Sequence, residues 1–171
     1  MYALVNPFVQ IALLRGKPQD LPASLFLLKL TLGAHALLGV LMFANRLSLP
    51  QAVLAGIAST LIMCVLTAAL LFANRRAGRI VQTLTAMAGS DVVVGLAALP
   101  VTAWLHGAVN DAAPSGLPGL LFLLLLIWNL VVAGHVLRHA LSSALPLGIV
   151  LALVLYMLSV NVMRVLFPAM T

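Results

Sequence analysis

The stretch RIVQTLTAMAGSDVVVGLAALP, Arg79 to Pro100, decides the fold. From Ile80 onward it is apolar or small, without period-2 alternation, so it reads as a helix rather than a barrel strand. It is long enough for the ~20 residues that a bilayer core demands. Asp91 stands in its middle, although the chain holds only 3 acidic residues. A carboxylate at that place has to be explained by what surrounds it.

Composition points the same way along the rest of the chain. The 171 residues are 64% hydrophobic and 7% charged, and none is glutamate. Soluble domains run at about 45–50% and 25%, so this chain has too few charged groups to cover a water-facing surface. It reads as a single-domain integral membrane protein of all-α class. The net charge of +6 then concerns orientation rather than nucleic acid, because only NRRAGR (Asn74 to Arg79) clusters basic residues. The single Cys64 can form no intrachain disulfide and reads as a small packing residue.

Five apolar stretches are predicted to span: about Leu25–Ala44, Gln51–Ala73, Ile80–Leu105, Pro118–Leu137 and Ala144–Phe167. Residues 25–171 thus form a bundle of five transmembrane helices. Spans one and two both close on FANR (Phe43 to Arg46, Phe72 to Arg75), an aromatic, an Asn able to cap carbonyls and a snorkelling Arg. Residues 1–24 form a separate piece. In NPFVQIALLRG, Asn6 is the expected N-cap, Pro7 the first helical residue and Gly16 the terminus, giving a short helix lying in the membrane interface. A Pro-rich elbow follows, with Ser24 capping the first span. The segment lacks the basic n-region of a cleavable signal peptide.

With the N-terminus placed in the cytoplasm, Arg15, Lys17, Lys29, Arg75, Arg76, Arg79 and Arg138 fall on the inner side, and Arg46 and Arg164 on the outer. The loop from His106 to Gly116 carries neither Lys nor Arg, and its Asp111 falls on the outer surface. By the positive-inside rule the chain is N-in and C-out.

Helices in lipid associate where small residues let backbones approach. Ala52, Gly56, Thr60, Cys64 and Ala68 recur every four residues along span two and form such a face. Thr31, His35, Gly39 and Phe43 make a parallel row on span one, and Met87, Asp91, Gly95 and Leu99 on span three.

At 1.5 Å per residue, Asp91 lies about 16 Å into its span. His35 and Asn129 reach the same level from spans one and four. An Asp at a span centre costs on the order of 2.5–3.5 kcal/mol to insert, so it should turn inward, either protonated or paired with a cation such as His35. His35, Asp91 and Asn129 are therefore expected to form an intramembrane polar layer, read either as interhelical glue or as a proton-linked pair. Thr83, Thr85 and Ser90 could extend a polar file toward the inner face; Gly95 and Thr102 offer little outward. Arg75, Arg76, Arg79, Arg138 and His139 form a cytoplasmic basic edge suited to anionic headgroups or to snorkelling. His135 and His139 lie four apart, but no third ligand is near, so no metal and no cofactor is expected. Nucleophile elbow, phosphate loop and paired carboxylates are all missing, which argues against an enzyme.

NPFVQIALLRGKPQDLPAS, RIVQTLTAMAGSDVVVGLAALP and WNLVVAGHVLRHAL together resemble a family of small five-span proteobacterial inner-membrane proteins to whose motifs no chemistry is assigned. The layout is also similar to that of Yip1-type membrane proteins. The resemblance implies a location in the bacterial cytoplasmic membrane and a non-enzymatic role. The reading that follows is a membrane scaffold or partner subunit, touching lipid and another membrane protein or a second copy of itself, with no nucleic acid. The rival readings are a proton-linked small-solute transporter using Asp91 and a lipid-binding membrane protein.

Overall fold

A computed structural model describes residues 2–110 and 115–168; Asp111 lies outside them. Among the described residues the chain is helical with no strand: α1 (Tyr2–Ala12), α2 (Leu25–Phe43), α3 (Leu49–Ala73), α4 (Ile80–Asn110), α5 (Gly116–Leu141) and α6 (Leu145–Leu166). The last five are long and apolar enough to cross a membrane. This is a multi-pass membrane protein.

The helices start and stop where their local chemistry allows. Ser24 Oγ accepts the Leu27 amide at 3.3 Å and caps α2. α3 begins at Leu49, two residues before the expected Gln51, because the Gln51 side chain accepts from both the amide and the hydroxyl of Ser48. α4 runs five residues past Leu105 and keeps Pro100 inside it. α5 ends on Ser142 in the left-handed region (φ 56°), with the Ser143 amide returned to the Arg138 carbonyl at 2.8 Å.

The five spans close into a ring in the order α3, α2, α4, α5, α6 and back to α3. The end holding the α3–α4 and α5–α6 connections also holds most of the Lys and Arg, and is called here the basic end; the opposite one is the far end. Glycines set the tightest seams. A Cβ on Gly56 would stand 2.7 Å from the Ala36 carbonyl oxygen, and one on Gly148 would meet the Gly134 carbonyl oxygen. The Gly56 row therefore packs α3 onto α2 of the same chain.

The N-terminal helix departs from the sequence reading. It starts at Tyr2, holds Pro7 inside, and ends at Ala12 rather than Gly16. The turn is made by Leu14 (φ 61°), with the Arg15 and Gly16 amides on the Gln10 carbonyl. The helix packs against the bundle itself. It docks along the seam between α4 and α5 on their outer side, burying Phe8, Ile11 and Ala12. The Phe8 ring lies on Gly89, about 14 Å along α4 from Ile80. Trp128 Nε1, deep in α5, donates to the Ala12 carbonyl at 2.9 Å. The chain then climbs back to the basic end, where His135 Nε2 meets the Gly16 carbonyl (2.8 Å) and Gln82 donates to that of Leu21 (2.8 Å). Burial of an apolar face in this groove overrides the local preference for starting a helix at Pro7.

Because α2, α5 and α1 all cover it, α4 is buried without a break from Thr83 to Ser90. The hydroxyls of Thr83, Thr85 and Ser90 donate to the carbonyls of Arg79, Val81 and Ala86 on their own helix. The expected polar file toward the basic end is therefore not built from them.

Candidate functional site

The ring encloses a cavity of about 630 Å³ to which all five spans contribute. That volume lies within the ~300–1,000 Å³ usual for small-molecule sites. His35, Asp91 and Asn129 meet in its wall. Asn129 Nδ2 donates to Asp91 Oδ1 at 3.0 Å, and His35 Nε2 stands 3.6 Å from Asp91 Oδ2. On its other side, His35 Nδ1 bonds Thr60 Oγ1 at 2.9 Å.

The direction of these bonds follows from the inventory of donors. The Thr60 hydroxyl gives its one hydrogen to the Gly56 carbonyl at 2.9 Å, so toward His35 it accepts, and Nδ1 carries a hydrogen. His35 Nε2 and Asp91 Oδ2, 3.6 Å apart, are close enough to form an ion pair when the ring is charged and the carboxyl ionised. Asn129 donates to Oδ1.

Toward the basic end the cavity stops at Thr67, Met87, Ala133 and Ala152, and beyond them Leu71, Val136 and Leu137 are fully buried. In the other direction it runs along α4 past Gly95, Ala98 and Thr102 to His106, which share one face at helical spacing with Asp91. It ends among Arg46, His106 and Arg164, of which Arg46 and Arg164 are exposed. The opening thus lies on the side where the sequence reading expected little. Between the two polar ends the wall is apolar, with Leu38, Met63, Leu126 and Leu155 among its residues.

At the mouth, Arg46 Nε donates to His106 Nε2 at 2.8 Å. A guanidinium can only donate, so Nε2 is the acceptor and Nδ1 carries the ring hydrogen. That Nδ1 is shielded from solvent and has no hydrogen-bond partner among the described residues.

Comparison with protein-family models, curated proteins and solved structures finds no match.

The remaining predicted residues separate. On α3, Ala52, Gly56 and Thr60 are buried within the chain, while Cys64 and Ala68 are half-buried. The residues of the basic edge differ in what they contact. Arg79 Nη1 donates to the carbonyls of His139 and Ala140 and to Ser142 Oγ, at 2.9 to 3.0 Å, and so closes the C-terminus of α5. Arg75 is exposed, with φ 57°, just past the end of α3. Arg138 is half-buried, and His139 lies edge-on to His135 with ring centroids 4.8 Å apart. No group of three metal-ligating side chains occurs among the described residues. The mouth residues Arg46, His106 and Arg164 escaped the sequence reading. The row Asp91, Gly95, Ala98, Thr102, His106 was the signal that could have found the first step to them.

Proposed function

We propose that this chain is a non-enzymatic membrane carrier that holds a small solute in the central cavity and couples its movement to the proton of the His35–Asp91 pair. One observation carries the reading: an imidazole and a carboxyl group 3.6 Å apart form part of the wall of a solute-sized cavity bounded by all five spans. Ionisable residues inside a membrane are expensive to place there and tend to mark ion and substrate paths. A cavity that reaches one end of the bundle and is sealed by packed side chains toward the other is one of the two states that alternating access requires. The excess of Lys and Arg at the basic end supports a cytoplasmic N-terminus, so that in this state the cavity faces outward, and the family resemblance supports a bacterial inner membrane.

For the partner-subunit reading, the small-residue face of α3 was the surface expected to pack closely, within the chain or against a partner. Ala52, Gly56 and Thr60 are covered by the chain's own helices, which leaves that face little to offer a partner.

The test uses proteoliposomes loaded with a pH-sensitive dye and challenged with a panel of organic anions, cations and neutral solutes. Solute-dependent proton movement that Asp91→Asn abolishes, in a variant that still purifies as folded protein, supports the carrier. If no solute in the panel moves protons, and native nanodiscs yield a stoichiometric second membrane protein, the partner reading takes its place.

A further inference from the structure

We infer that the cavity takes an amphipathic organic anion, its charged group held at the far end by Arg46, His106 and Arg164 and its apolar body lying inward along the Leu and Met wall. The inference rests on the carrier reading for what becomes of the ligand, but its chemistry comes from the mouth alone.

Three groups line that end of the cavity, and the two guanidinium groups among them can only donate hydrogen bonds. Arg46 is held in place by its bond from Nε to His106, and its terminal nitrogens make no hydrogen bond to the described residues. His106 Nδ1–H is the decisive group. It is a donor shielded from solvent with no acceptor among the described residues, and a buried donor left unpaired is destabilising enough that native structures rarely tolerate it. An acceptor atom of a ligand would satisfy it. Arg164, on the last turn of α6, lines the same cavity. Of the described acidic residues, Asp91 is engaged by His35 and Asn129, and Asp20 accepts the Lys17 amide at the opposite end. Neither reaches the two arginines. Paired guanidinium groups beside a neutral N–H donor match a carboxylate or a phosphate, which accept at two or more oxygens.

The rest of the cavity sets the shape of the ligand. From His35 to Phe43 the wall follows α2 for eight residues, about 12 Å, with Arg46 three residues beyond the helix end, and most of that length is apolar. A small hydrophilic anion would leave this part unfilled. A molecule with a charged head and an elongated apolar body fills it and brings its far end to the His35–Asp91–Asn129 layer. A free amphipathic carboxylate and the head of an anionic membrane lipid share this chemistry.

Binding is measured on the purified protein in nanodiscs of zwitterionic lipid, with dodecanoate, dodecanol and dodecyltrimethylammonium as probes. Dodecanoate is expected to bind at least about ten-fold more tightly than either of the others, the difference one charge-assisted pairing can make. Arg164→Gln and His106→Phe should each remove most of that preference while leaving dodecanol unchanged. The Arg164 side chain makes no hydrogen bond to the described residues and is exposed, so its replacement is expected to leave the fold intact. Equal binding of the acid and the alcohol, or a preference that survives Arg164→Gln, overturns the inference. Native mass spectrometry with phosphatidylglycerol separates the sources. Stoichiometric lipid displaced by dodecanoate names a lipid as occupant, and dodecanoate binding with no lipid retained names a free anion; both support the chemistry. Charge preference without proton coupling would leave this inference standing and the carrier reading overturned. Proton coupling to neutral solutes alone would do the reverse.

Discussion

Asn129 Nδ2 donates to Asp91 Oδ1 across 3.0 Å, and so ties α4 to α5 by a side-chain bond in the interior of the bundle. The bond lies in the cavity wall, which gives it two consequences that can be measured separately. Interhelical polar bonds in membranes contribute about 0.6 kcal/mol on average and about 1.7 at most. A double-mutant cycle of Asp91→Leu and Asn129→Leu, read by unfolding in mixed micelles, should return a coupling of that size. A coupling indistinguishable from zero would mean that the pair does not fasten the helices.

The seam between α5 and α6 is set by Gly134 and Gly148, where no side chain fits. Gly148→Leu should lower the unfolding temperature sharply, since overpacking a tight contact costs about 1–3 kcal/mol or more. Gly33 has nothing within 4 Å of its missing Cβ. Gly33→Leu therefore serves as the control and should leave the temperature unchanged or raise it.

Arg79 and Arg75 are only four positions apart and should respond differently to the same change. Arg79 closes the end of α5 through three acceptors, and hydrogen bonds to a charged group contribute about 1.5–3 kcal/mol. Arg79→Gln should destabilise by that order, and Arg75→Gln should not change stability measurably. Equal losses in both would show that net charge at the basic end, and not the cap, is what matters.

Trp128 holds α1 in its groove through the Ala12 carbonyl. Trp128→Phe keeps most of the ring and removes the donor, at a cost of about 1 kcal/mol. Hydrogen exchange should rise in α1, the amides of Phe8 to Ala12 above all, and stay unchanged in α6. A uniform rise across all helices would mean that α1 is not an independently loosened element.

The level of the polar layer could be read from the sequence because the rise of a helix is fixed. Counting residues from the span ends places His35, Asp91 and Asn129 at one depth without any knowledge of packing. The direction in which the polar path runs could not be read that way. Thr83, Thr85 and Ser90 look like a file leading from Asp91, yet each hydroxyl turns back to a carbonyl of its own helix. That acceptor is always within reach in a helix, and in an apolar interior it wins over a more distant partner. The mouth escaped for a related reason. Arg46, His106 and Arg164 are scattered over three helices, and each by itself reads as an ordinary helix-end residue.

The N-terminal helix shows the same division. Asn6 and Pro7 carry a sound local start signal, but burial of Phe8, Ile11 and Ala12 between α4 and α5 outweighs it. What the sequence determined by itself is the class of object: five apolar stretches in a chain with almost no charge can satisfy their backbone in lipid only as helices. The depth of its polar residues and the side that carries its basic charge follow from that and from counting. Only the tertiary structure decided which faces of those helices meet. The glycine seams set the order of the ring, the ring leaves a cavity at its centre, and α1 covers the outside of the α4–α5 seam. Rise along a helix is a property of the backbone, but the direction a side chain faces acquires meaning only when a second helix stands opposite it.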